Sequence, residues 1–420
     1  MQVKAPRGTY DIMPDEIYKW HQLEQIIRTT AETFGYAEIR TPIFEHTELF
    51  ERGVGDTTDI VSKEMYTFLD RSNRSLTLRP ENTASCVRAF IEHSVAGGVL
   101  PVKWYYMGPM FRYDRPQAGR YRQFHQFGVE AFGSDNPALD AEVISLVLEI
   151  LANLGLQEYE LHLNSVGCPE CRELYRQQLI SHIRPVKDKL CTDCQTRFEK
   201  NPLRVLDCKV ASCQEAIAGF PNMYDYLCPG CSKHYSRVQS ILTDVGIAYI
   251  HDNQLVRGLD YYTNTAFEIM IPLIGAQSAV AGGGRYNGLV KECGGPQMPG
   301  IGFAMGLERL LLAMNSQENS RTNPGQLDVF LALLDEKNET RAAHILSGLR
   351  RAGIRADRDY NHRSAKAQMK YADKMGARLV LLLGEDEIQK GVVTIRDMQT
   401  RQQSEVSNEA LIAAIKAILE

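Results

Sequence analysis

The stretch from Trp104 to Glu130 constrains the fold of this chain more than any other. Aromatic residues of high β-propensity lie toward both of its ends, and Pro116 and Gly119 interrupt it in the middle. This pattern predicts a strand, a loop and a returning strand. The chain therefore contains a hairpin, and the polar residues of the stretch are concentrated in its loop.

The loop of this hairpin is basic, which points to an anion. Its arginines are Arg112, Arg115, Arg120 and Arg122. The returning strand adds Gln123, His125 and Glu130 among aromatic neighbours. Polar groups are costly to bury without a partner, so we expect a ligand here. A solvated hairpin tip is the alternative interpretation, and it is other segments of the chain that favour the anion site.

Length and composition describe an ordinary globular protein. The 420 residues suffice for two or three domains, and 44% of them are hydrophobic and 24% charged. The formal charge of −5 provides no general attraction to nucleic acid, so any contact with RNA has to come from local basic patches. The amino terminus has no apolar core, and no apolar run approaches the roughly 20 residues of a membrane span. We therefore expect a cytoplasmic protein without a signal peptide or a membrane segment.

The first amphipathic segment predicts a helix followed by an edge strand. Apolar residues recur at helical spacing from Glu16 to Gly35, where the pattern stops. Residues 36–45, YAEIRTPIFE, then have the character of a strand in which Pro42 cannot donate to a ladder, which favours an edge or an interface. A helix that leads into an edge strand would suit a dimer contact.

A second strand and helix follow in residues 76–95. Leu76 and Leu78 alternate as in a strand, and Thr83 is placed to cap the helix. Glu81 lies at the junction of the two elements. A carboxylate in that position either caps the helix or binds a ligand, and the residues alone leave both open.

Residues 157–252 differ from their surroundings because they are rich in cysteine. The cysteines form four pairs along the chain: Cys168 and Cys171, Cys191 and Cys194, Cys208 and Cys213, and Cys228 and Cys231. Three pairs have the C-x-x-C spacing that lets two thiolates bind one tetrahedral ion. Structural zinc in one or two four-cysteine sites is one interpretation, and isolated buried thiols are the other. No pairing follows from the sequence, which predicts an inserted domain held by metal or by plain burial.

A redox role for these cysteines is the weaker alternative. The motifs are repeated, and they lack the strand and helix context of thioredoxin-like proteins.

Three later segments combine charge with aromatic residues or glycine. Arg257 and Asp260 flank a turn before Tyr261 and Tyr262, which a packed strand with an ordinary ion pair would also explain. The glycines at 282–284 allow close backbone approach but lack the lysine of a P-loop. The glycines at 300, 302 and 306 precede a helix with Arg309, an arrangement that suits a polyphosphate or tight packing of helix on strand.

The polar segment 315–326 contains Pro324 and Gly325 and predicts a linker between domains. After it, strand and helix patterns alternate, which predicts a small α/β domain with a largely parallel sheet. The second helix of this domain is basic and could face RNA or water; its cations are His362, Arg363, Lys366, Lys370 and Lys374.

Taken together, these stretches resemble the histidyl-tRNA synthetases of the bacterial type, a family of class II aminoacyl-tRNA synthetases, over almost the whole chain. The helix with TPIFE is similar to class II motif 1, FRYDRPQAGRYRQFHQFGVE to motif 2, and GIGFAMGLERLLL to motif 3. RGLDYY and AGGGRYNG resemble the two histidine-specific signatures of the family. The resemblance implies an α+β catalytic core, with an antiparallel sheet flanked by helices, in residues 1–325. It also implies an insertion at about 157–252 and an α/β anticodon-binding domain in residues 326–420.

The resemblance implies a reaction in two steps. The carboxylate of L-histidine attacks the α-phosphate of ATP to give histidyl-adenylate, and the 3′ end of tRNA(His) then takes the histidyl group. Arg112 and Arg257 would flank the α-phosphate as catalytic residues, Arg309 would hold the γ-phosphate, and Arg120 would lie by the nucleotide or the acceptor end. Mg²⁺ would accompany the outer phosphates, and the enzyme would be a homodimer.

The same resemblance implies a binding site for histidine. Glu81 and Thr83 match residues that hold the α-amino group, and Gln126 matches one that contacts the backbone of the amino acid. Glu130 and Tyr262 match the pair on the imidazole nitrogens. Two further tyrosines belong to the set, Tyr261 beside Tyr262 and Tyr286, which would close the pocket.

One position departs from the family pattern. The family usually has Glu-Gly-Thr where this chain has Glu81, Asn82 and Thr83. If the backbone there had a positive φ, asparagine would tolerate it best after glycine. The change lies inside the predicted amino-acid site, so its effect on activity is an open question of the sequence.

Two rival functions come from different classes. A paralogue of these synthetases is a regulatory, non-catalytic subunit of ATP phosphoribosyltransferase, but it typically lacks the anticodon domain and an intact RGLDYY signature. A metal-dependent nucleic-acid-binding module would account for the cysteines but would leave the hairpin and Arg257 unexplained.

Overall fold

A computed structural model describes residues 3–55, 58–208, 210–316 and 327–419. The chain divides into two compact units, Met1–Ser320 and Arg321–Glu420. Of the predicted linker 315–326, only Asn315 and Ser316 are among the described residues, where they end a helix. The predicted domain boundary at 325 lies outside the described residues and stays a prediction.

The first unit is built on strands and helices that alternate irregularly along the chain. Its described strands are β1 (Ala37–Glu38), β2 (Phe44–His46), β3 (Tyr66–Leu69), β4 (Ser75–Leu78), β5 (Val102–Phe111), β6 (Gln123–Phe132), β7 (Glu160–Ser165), β8 (Ile250–His251), β9 (Thr263–Met270), β10 (Ala279–Arg285) and β11 (Gly300–Gly306). Its described helices are α1 (Ile17–Thr33), α2 (Thr47–Val54), α3 (Thr83–Glu92), α4 (Pro137–Asn153), α5 (Pro169–Ile183), α6 (Thr192–Lys200), α7 (Ala211–Ala216), α8 (Pro229–Asp244), α9 (Leu289–Glu292) and α10 (Leu307–Ser316).

An eight-stranded sheet in the order β1-β5-β6-β11-β10-β9-β7-β8 is the centre of this unit. The six central strands pair antiparallel, and only the short edge strands β1 and β8 pair parallel to their neighbours. The predicted hairpin is present as β5 and β6, in register from Val102 opposite Phe132 to Phe111 opposite Gln123. The predicted antiparallel core flanked by helices is therefore confirmed.

The segment YAEIRTPIFE is divided into two strands. Ala37 and Glu38 form β1 at the edge of the large sheet, whereas Phe44 begins β2 in a separate three-stranded sheet of order β2-β4-β3. Pro42 lies between the two strands, where its missing N–H removes no ladder bond.

The main hydrophobic core lies between one face of the large sheet and the helices α1, α4 and α8. Sheet residues such as Tyr105, Phe127 and Phe303 pack there against Leu23 of α1 and Ile144 of α4. Successive residues of a strand point to opposite faces, so the neighbours of these residues point away from this core. Gln126 and Glu130 of the hairpin lie on the second face, whereas Gln123 and His125 share the face of Phe127.

The cysteine-rich segment has a hydrophobic cluster of its own. Within the predicted insertion at about 157–252, β7 and β8 pair in the large sheet, and α8 joins the main core through Tyr235 and Val238. The separate cluster is formed by α5, α6, α7 and their connections, with buried residues that include Tyr175, Leu179 and Phe198. The bounds of the insertion stay a prediction.

The second unit has a mixed sheet of order β13-β12-β14-β15-β16. Its described strands are β12 (Val329–Leu333), β13 (Ala356–Arg358), β14 (Leu379–Leu383), β15 (Val392–Asp397) and β16 (Gln403–Ser407). Its described helices are α11 (Glu339–Arg351), α12 (Ala365–Lys374), α13 (Glu385–Lys390) and α14 (Leu411–Leu419).

The predicted α/β character of this unit is confirmed, but the expected parallel sheet is only half correct. β12 pairs parallel with β13 and β14, whereas β14 with β15 and β15 with β16 pair antiparallel. One of the two antiparallel pairs, β15 with β16, is a hairpin, in which the carboxylate of Asp397 accepts from the N–H groups of Gln399 and Thr400 and so forms a tight turn.

Among the helices that the structure describes, none is both long enough and apolar enough to cross a membrane. The predicted cytoplasmic location stays a prediction.

Candidate active site

The second face of the large sheet has a floor of very small side chains. Gly128, Ala304 and Gly282 lie side by side on β6, β11 and β10, and Glu268 of β9 ends this row. The next row runs from Glu130 across Gly302 and Gly284. Alternation along four strands therefore leaves a trough with carboxylates at its margins.

A cavity of about 400 Å³ lies over this floor. Every residue predicted for catalysis or substrate binding lines it: Glu81, Thr83, Arg112, Arg120, Gln126, Glu130, Arg257, Tyr261, Tyr262, Tyr286 and Arg309. These residues come from segments up to 228 positions apart in the chain, from Glu81 to Arg309. Their individual roles remain predictions, but their convergence is a feature of the fold.

Arg112 directly follows β5 and is held from two sides. Its Nε donates to the carbonyl of Pro80 at 2.8 Å, and its guanidinium lies 5.3 Å from the centre of the Phe124 ring. Burial lowers the pKa of Arg112, while Glu64 and Glu81 raise it. The group is fixed by contacts that leave its remaining N–H donors for the cavity.

Arg309 lies on the first turns of α10 and reaches the same cavity. Its Nε donates to the carbonyl of Gly119 at 3.2 Å, and it also donates to the carbonyl of Ala279. Burial lowers the pKa of Arg309, and so do the neighbouring charges of Arg120 and Arg112. Like charges gathered in this way repel each other, and an anion between them would remove the repulsion.

Arg120 lies in the loop of the hairpin. It forms an ion pair with Asp114, and Glu64 lies 3.9 Å away. The side chain is 41% exposed, so its guanidinium is the most accessible of the four predicted arginines and can turn toward a ligand.

Arg257 occupies the space that glycine leaves on the floor. Its Nη1 lies 2.6 Å from Glu268 Oε1, and a methyl group on Gly282 would overlap its guanidinium. Burial alone would lower the pKa of Arg257, but Glu268 and the phenol of Tyr262 raise this pKa overall, so the guanidinium stays charged. Its Nε is buried without a hydrogen-bond partner in the described part of the chain.

Glu81 caps helix α3, and Thr83 does not. The carboxylate of Glu81 accepts from the N–H of Thr83 at 2.7 Å and from that of Ala84 at 2.9 Å. Thr83 is the first helical residue, so the prediction that it caps the helix is wrong. Burial raises the pKa of Glu81, which is 4% exposed and lies beside the cavity. A carboxylate has about four acceptor sites, so capping leaves room for a ligand donor.

Glu130 is the most deeply placed acid of the site. The hydroxyl of Thr83 donates to its Oε1 at 2.7 Å, and the hydroxyl of Tyr286 donates to its Oε2. Burial raises the pKa of Glu130 from 4.5 to about 8. The phenol on Glu130 is thus Tyr286, whereas Tyr262, its predicted companion, lies with its ring 6.0 Å from the guanidinium of Arg257.

Gln126 has an unpaired amide oxygen at the cavity. Its Oε1 is buried and has no hydrogen-bond partner among the described residues, and the side chain lines the cavity. Buried polar atoms are nearly always paired in folded proteins, so an unpaired one at a cavity marks a site for a donor from outside the chain.

The Asn82 departure does not disturb this arrangement. Asn82 has a φ of −121°, so the backbone does not need glycine. Its side chain is buried away from the cavity, where its Oδ1 accepts from Thr41 at 2.7 Å and from Arg79 at 3.2 Å. The asparagine therefore braces the turn behind the site.

Family comparison decides the affiliation of the chain. The family model described as histidyl-tRNA synthetase matches residues 8–176 and 223–310, and the model described as anticodon binding domain matches residues 328–418. The chain belongs to the histidyl-tRNA synthetase family. The matched segments include every residue predicted for catalysis or substrate binding, and the second family match coincides with the mixed α/β unit.

The chain is similar to other members of this family over almost its full length. The histidine–tRNA ligase of Syntrophomonas wolfei is 63% identical over 420 residues, which is 100% of either chain, and that of Desulforamulus reducens is 57% identical over 99% of this chain and 100% of its own. The crystal structure of apo histidyl-tRNA synthetase from Staphylococcus aureus superimposes with a TM-score of 0.84 at 40% identity, covering 99% of this chain and 100% of that one.

Sequence reasoning missed two acids of this synthetase site. Glu268 pairs with Arg257, and Glu308 accepts from the N–H of His125 at 2.8 Å and faces its ring nitrogen at 3.0 Å. Both acids line the cavity. Glu268 stands alone in the apolar run AFEIM, which is the signal that could have identified it. His125, expected to meet a ligand, is instead held by Glu308 and Trp20.

Proposed function

We propose that the chain activates L-histidine with ATP to histidyl-adenylate and then transfers the histidyl group to the 3′ end of tRNA(His). The observation that carries this proposal is the convergence of Arg112, Arg257 and Arg309 on one cavity that also holds Glu130. Guanidinium groups from three distant segments suit a triphosphate, and a buried acid beside them suits an imidazole.

The first step needs positive charge around the α-phosphate. An oxygen of the histidine carboxylate forms a bond to phosphorus, and the bond to the bridging oxygen of pyrophosphate breaks. Negative charge accumulates on the phosphoryl oxygens in the transition state, and fixed cations stabilise it most when they need no reorganisation. Arg112, held by Pro80 and Phe124, and Arg257, held by Glu268, have this rigidity.

The outer phosphates would lie toward Arg309 and Arg120. Arg309 is anchored by two backbone carbonyls and Arg120 is accessible, so one presents a fixed donor and the other an adjustable one. Mg²⁺ would arrive with ATP, and Glu268 and Glu308 are carboxylates of the cavity wall that suit such an ion. Its chemistry would be to neutralise the charge of the leaving pyrophosphate.

Histidine recognition is assigned to the buried end of the cavity. Glu81 would accept from the α-amino group with the lone pairs that capping leaves, and Gln126 would contact the backbone of the amino acid. Glu130 and Tyr262 would bind the ring nitrogens, while Tyr286 and Thr83 orient Glu130. Tyr261 packs on Tyr262 with ring centres 4.7 Å apart and completes the wall. Amino acids without the ring nitrogens would leave buried groups unpaired, which disfavours them.

The second unit is proposed to bind the anticodon of tRNA(His). A groove of about 720 Å³ in this unit is lined by Arg350, Arg351, Arg358 and Tyr360. Tyr360 is 59% exposed, and Arg358 lies 4.9 Å from its ring centre. Exposed aromatic rings beside arginines are surfaces on which unpaired bases stack. The exposed lysines of α12 add positive charge within the same unit.

A homodimer is proposed from the three-stranded sheet. Phe44, Leu78 and Tyr66 lie in one row on one face, and His46, Leu76 and Phe68 lie in the next. Phe44 is 52% and Phe68 44% exposed, so the face presents apolar area to solvent in the single chain. Sedimentation of the purified chain tests this: we expect a dimer, and a monomer at micromolar concentration would contradict it.

Histidine-dependent exchange of pyrophosphate into ATP tests the proposed function. We expect exchange with L-histidine and none with other amino acids, followed by charging of tRNA(His). A folded chain without exchange would favour the alternative, a regulatory subunit of ATP phosphoribosyltransferase. That alternative is weaker because the chain matches the anticodon domain over 328–418 and lines its cavity with Arg257 and Tyr262 of the RGLDYY segment.

The zinc predicted for the insertion would not take part in this reaction. None of the described residues that line the cavity is a cysteine.

A further inference from the structure

Eight of the ten cysteines are gathered into two separate groups of four. Cys168, Cys171, Cys228 and Cys231 form the first group, and Cys191, Cys194, Cys208 and Cys213 form the second. Within each group all sulfur atoms lie within 4.8 Å of one another. The fold therefore decides the grouping that the sequence left open. The first and last cysteine pairs, about 57 residues apart in the chain, form one group, and the two middle pairs form the other.

The spacing of the sulfurs fits one metal ion in each group. Zinc bound to thiolates at about 2.3 Å in a tetrahedron places the sulfurs about 3.8 Å apart. The sulfurs of Cys168 and Cys171 are 3.5 Å apart, and those of Cys191 and Cys208 are 4.0 Å apart. A disulfide would need about 2.05 Å. An iron–sulfur cluster would hold its thiolates further apart, because iron and sulfide atoms lie between them.

The backbone around each group also prepares it for thiolates. Cys168 and Cys228 stand at the N-caps of α5 and α8, so both C-x-x-C segments of the first group lie at helix N-termini. The N–H of Cys228 donates to the sulfur of Cys171 at 3.1 Å, and in the second group the N–H of Cys191 donates to the sulfur of Cys213 at 3.1 Å. Such donors stabilise negative sulfur and orient it toward a cation.

We propose that the first and second groups each bind one structural zinc ion. A four-sulfur tetrahedral set without open position is the donor set of structural zinc sites. The cluster of α5, α6 and α7 depends on helices and loops with no strand of its own among the described residues, and five of its buried side chains are cysteines. Metal–thiolate bonds would supply the cross-links that such a small core lacks.

The second ion has a role that reaches the active site, and this part of the inference depends on the proposed function. Cys191 and Cys194 begin the segment 191–208 and Cys208 ends it, so one ion would clamp both of its ends. Between these ends, Arg197 lies 2.8 Å and Arg204 3.4 Å from Asp59.

The same segment contacts the RGLDYY turn directly. Asn201 Nδ2 donates to Asp260 Oδ1 at 2.9 Å, and Asp207 lines the cavity together with Arg257. Asp260 lies three residues after Arg257 and directly before Tyr261. The clamped segment would therefore support the turn that presents Arg257 and Tyr261 to the substrates.

Elemental analysis of the full chain, purified under reducing conditions without chelators, tests metal binding. We expect two zinc ions per chain in the unaltered protein, one in Cys168→Ser, one in Cys191→Ser, and two in the control Cys293→Ser, whose cysteine belongs to neither group. A folded, unaltered protein with no zinc, or one that contains iron and sulfide, would overturn the proposal. This measurement does not involve catalysis, so its failure is distinct from failure of the proposed function.

If a variant fails to fold, a second measurement on the unaltered chain still tests the two sites. Cobalt replaces zinc in tetrahedral thiolate sites, and its absorption reports the sulfur ligands. We expect two cobalt ions per chain, each with intense sulfur-to-metal bands, and binding of a single ion would refute the two-site assignment.

Hydrogen exchange tests the supporting role of the second ion. We expect faster amide exchange at residues 58–62 and 258–261 in Cys191→Ser than in Cys168→Ser, because only the first variant frees the segment that contacts Asp59 and Asp260. Equal protection of these residues in Cys191→Ser and the unaltered protein would show that the second ion does not position the turn.

Discussion

The active-site cavity and the cysteine-rich insertion gather side chains by different means. In the cavity, long antiparallel strands fix the positions: ten paired residues of β5 and β6 and seven of β6 and β11 set which side chains share a face. Between β7 and β8 of the insertion, helices and turns converge on two groups of sulfurs, with no strand among the described residues of that segment. The comparison shows that backbone pairing can fix the positions of charged side chains, whereas a small core without strands gains from a cross-link of another kind.

The electrostatics of the two regions differ for the same reason. Cations and acids from distant segments share the cavity, with Arg257 on Glu268 and Arg112 near Glu81, so part of their charge is already compensated. In each of the two cysteine groups of the insertion, four thiols lie together, and their thiolate forms would repel each other unless a cation lay between them. Four experiments test this contrast.

Replacement of Arg257 should have the largest effect. We expect Arg257→Ala to lower histidine-dependent pyrophosphate exchange by about 10³-fold, because a preorganised charge at the transition state is lost. The variant should keep its fold, since the sheet beneath does not depend on the side chain. Near-normal exchange in a folded variant would remove Arg257 from catalysis. Arg40→Ala is the matched control, because Arg40 is 78% exposed and pairs with Glu38 at the surface.

The floor of the cavity offers the next test. In Gly282→Ala the added methyl group would overlap the guanidinium of Arg257 and displace it, so we expect exchange to fall by about 10²-fold. Gly97→Ala is the control, because a methyl group there meets nothing within 4 Å. If both variants retain full exchange, the sheet does not set the position of Arg257 as argued above.

The raised pKa of Glu130 predicts a pH-dependent stability of the ligand-free chain. Between its ordinary pKa of 4.5 and its folded pKa of about 8, the folded state holds a proton that the unfolded state has released. Stability from this group is therefore complete below about pH 4.5 and is lost as the pH rises toward 8, by up to about 1 kcal/mol per pH unit. Denaturant unfolding from pH 5 to 8 measures it.

Glu130→Gln should remove this dependence while keeping the shape of the side chain. The difference in unfolding free energy between the unaltered chain and the variant should shrink as the pH rises. An unchanged difference from pH 5 to 8 would mean that Glu130 is already ionised in the folded state at pH 5.

The contact between insertion and core should give the smallest effect. Asp59→Asn removes the charge that pairs with Arg197 and Arg204, both of which are partly exposed. We therefore expect pyrophosphate exchange to fall only a few-fold and the melting temperature to fall slightly. Glu48→Gln is the control, because its pair with Arg52 lies on the surface. A loss as large as that of Arg257→Ala would make the insertion part of the catalytic site itself.

Much of the fold could be predicted because local patterns were strong. Pro116 and Gly119 between two aromatic segments identified β5 and β6, and the apolar stripe that stops at Gly35 identified α1. Strand β16 was missed because QSEVS is largely polar and exposed, so it has no alternation to detect. Thr83 was expected to cap α3, and Glu81 was left open between a cap and a ligand residue, because side-chain reach across two residues is not visible in a sequence.

The candidate site could be predicted as a set of residues but not as a set of contacts. The four arginines and Glu130 stood out by their place near glycine or aromatic residues and Glu81 by its place between a strand and a helix, and the resemblance assigned them roles; Glu268 and Glu308 were missed. Tyr286 reaches Glu130 because two glycines of β11 leave room: a methyl group on Gly300 would overlap the ring of Tyr286, and one on Gly302 would overlap the carboxylate of Glu130. A shift by one residue would turn Glu130 to the opposite face.

By itself, the sequence determined the family, the hairpin with its arginines and the cysteine spacing, because these depend on residue type and short-range order. The tertiary structure alone decided that the four cysteine pairs join as first with last and middle with middle, that Glu268 holds Arg257, and that Asn82 braces a turn outside the cavity. These are contacts between segments far apart in the chain, and their formation depends on sheet register and helix placement, which no local stretch of residues encodes.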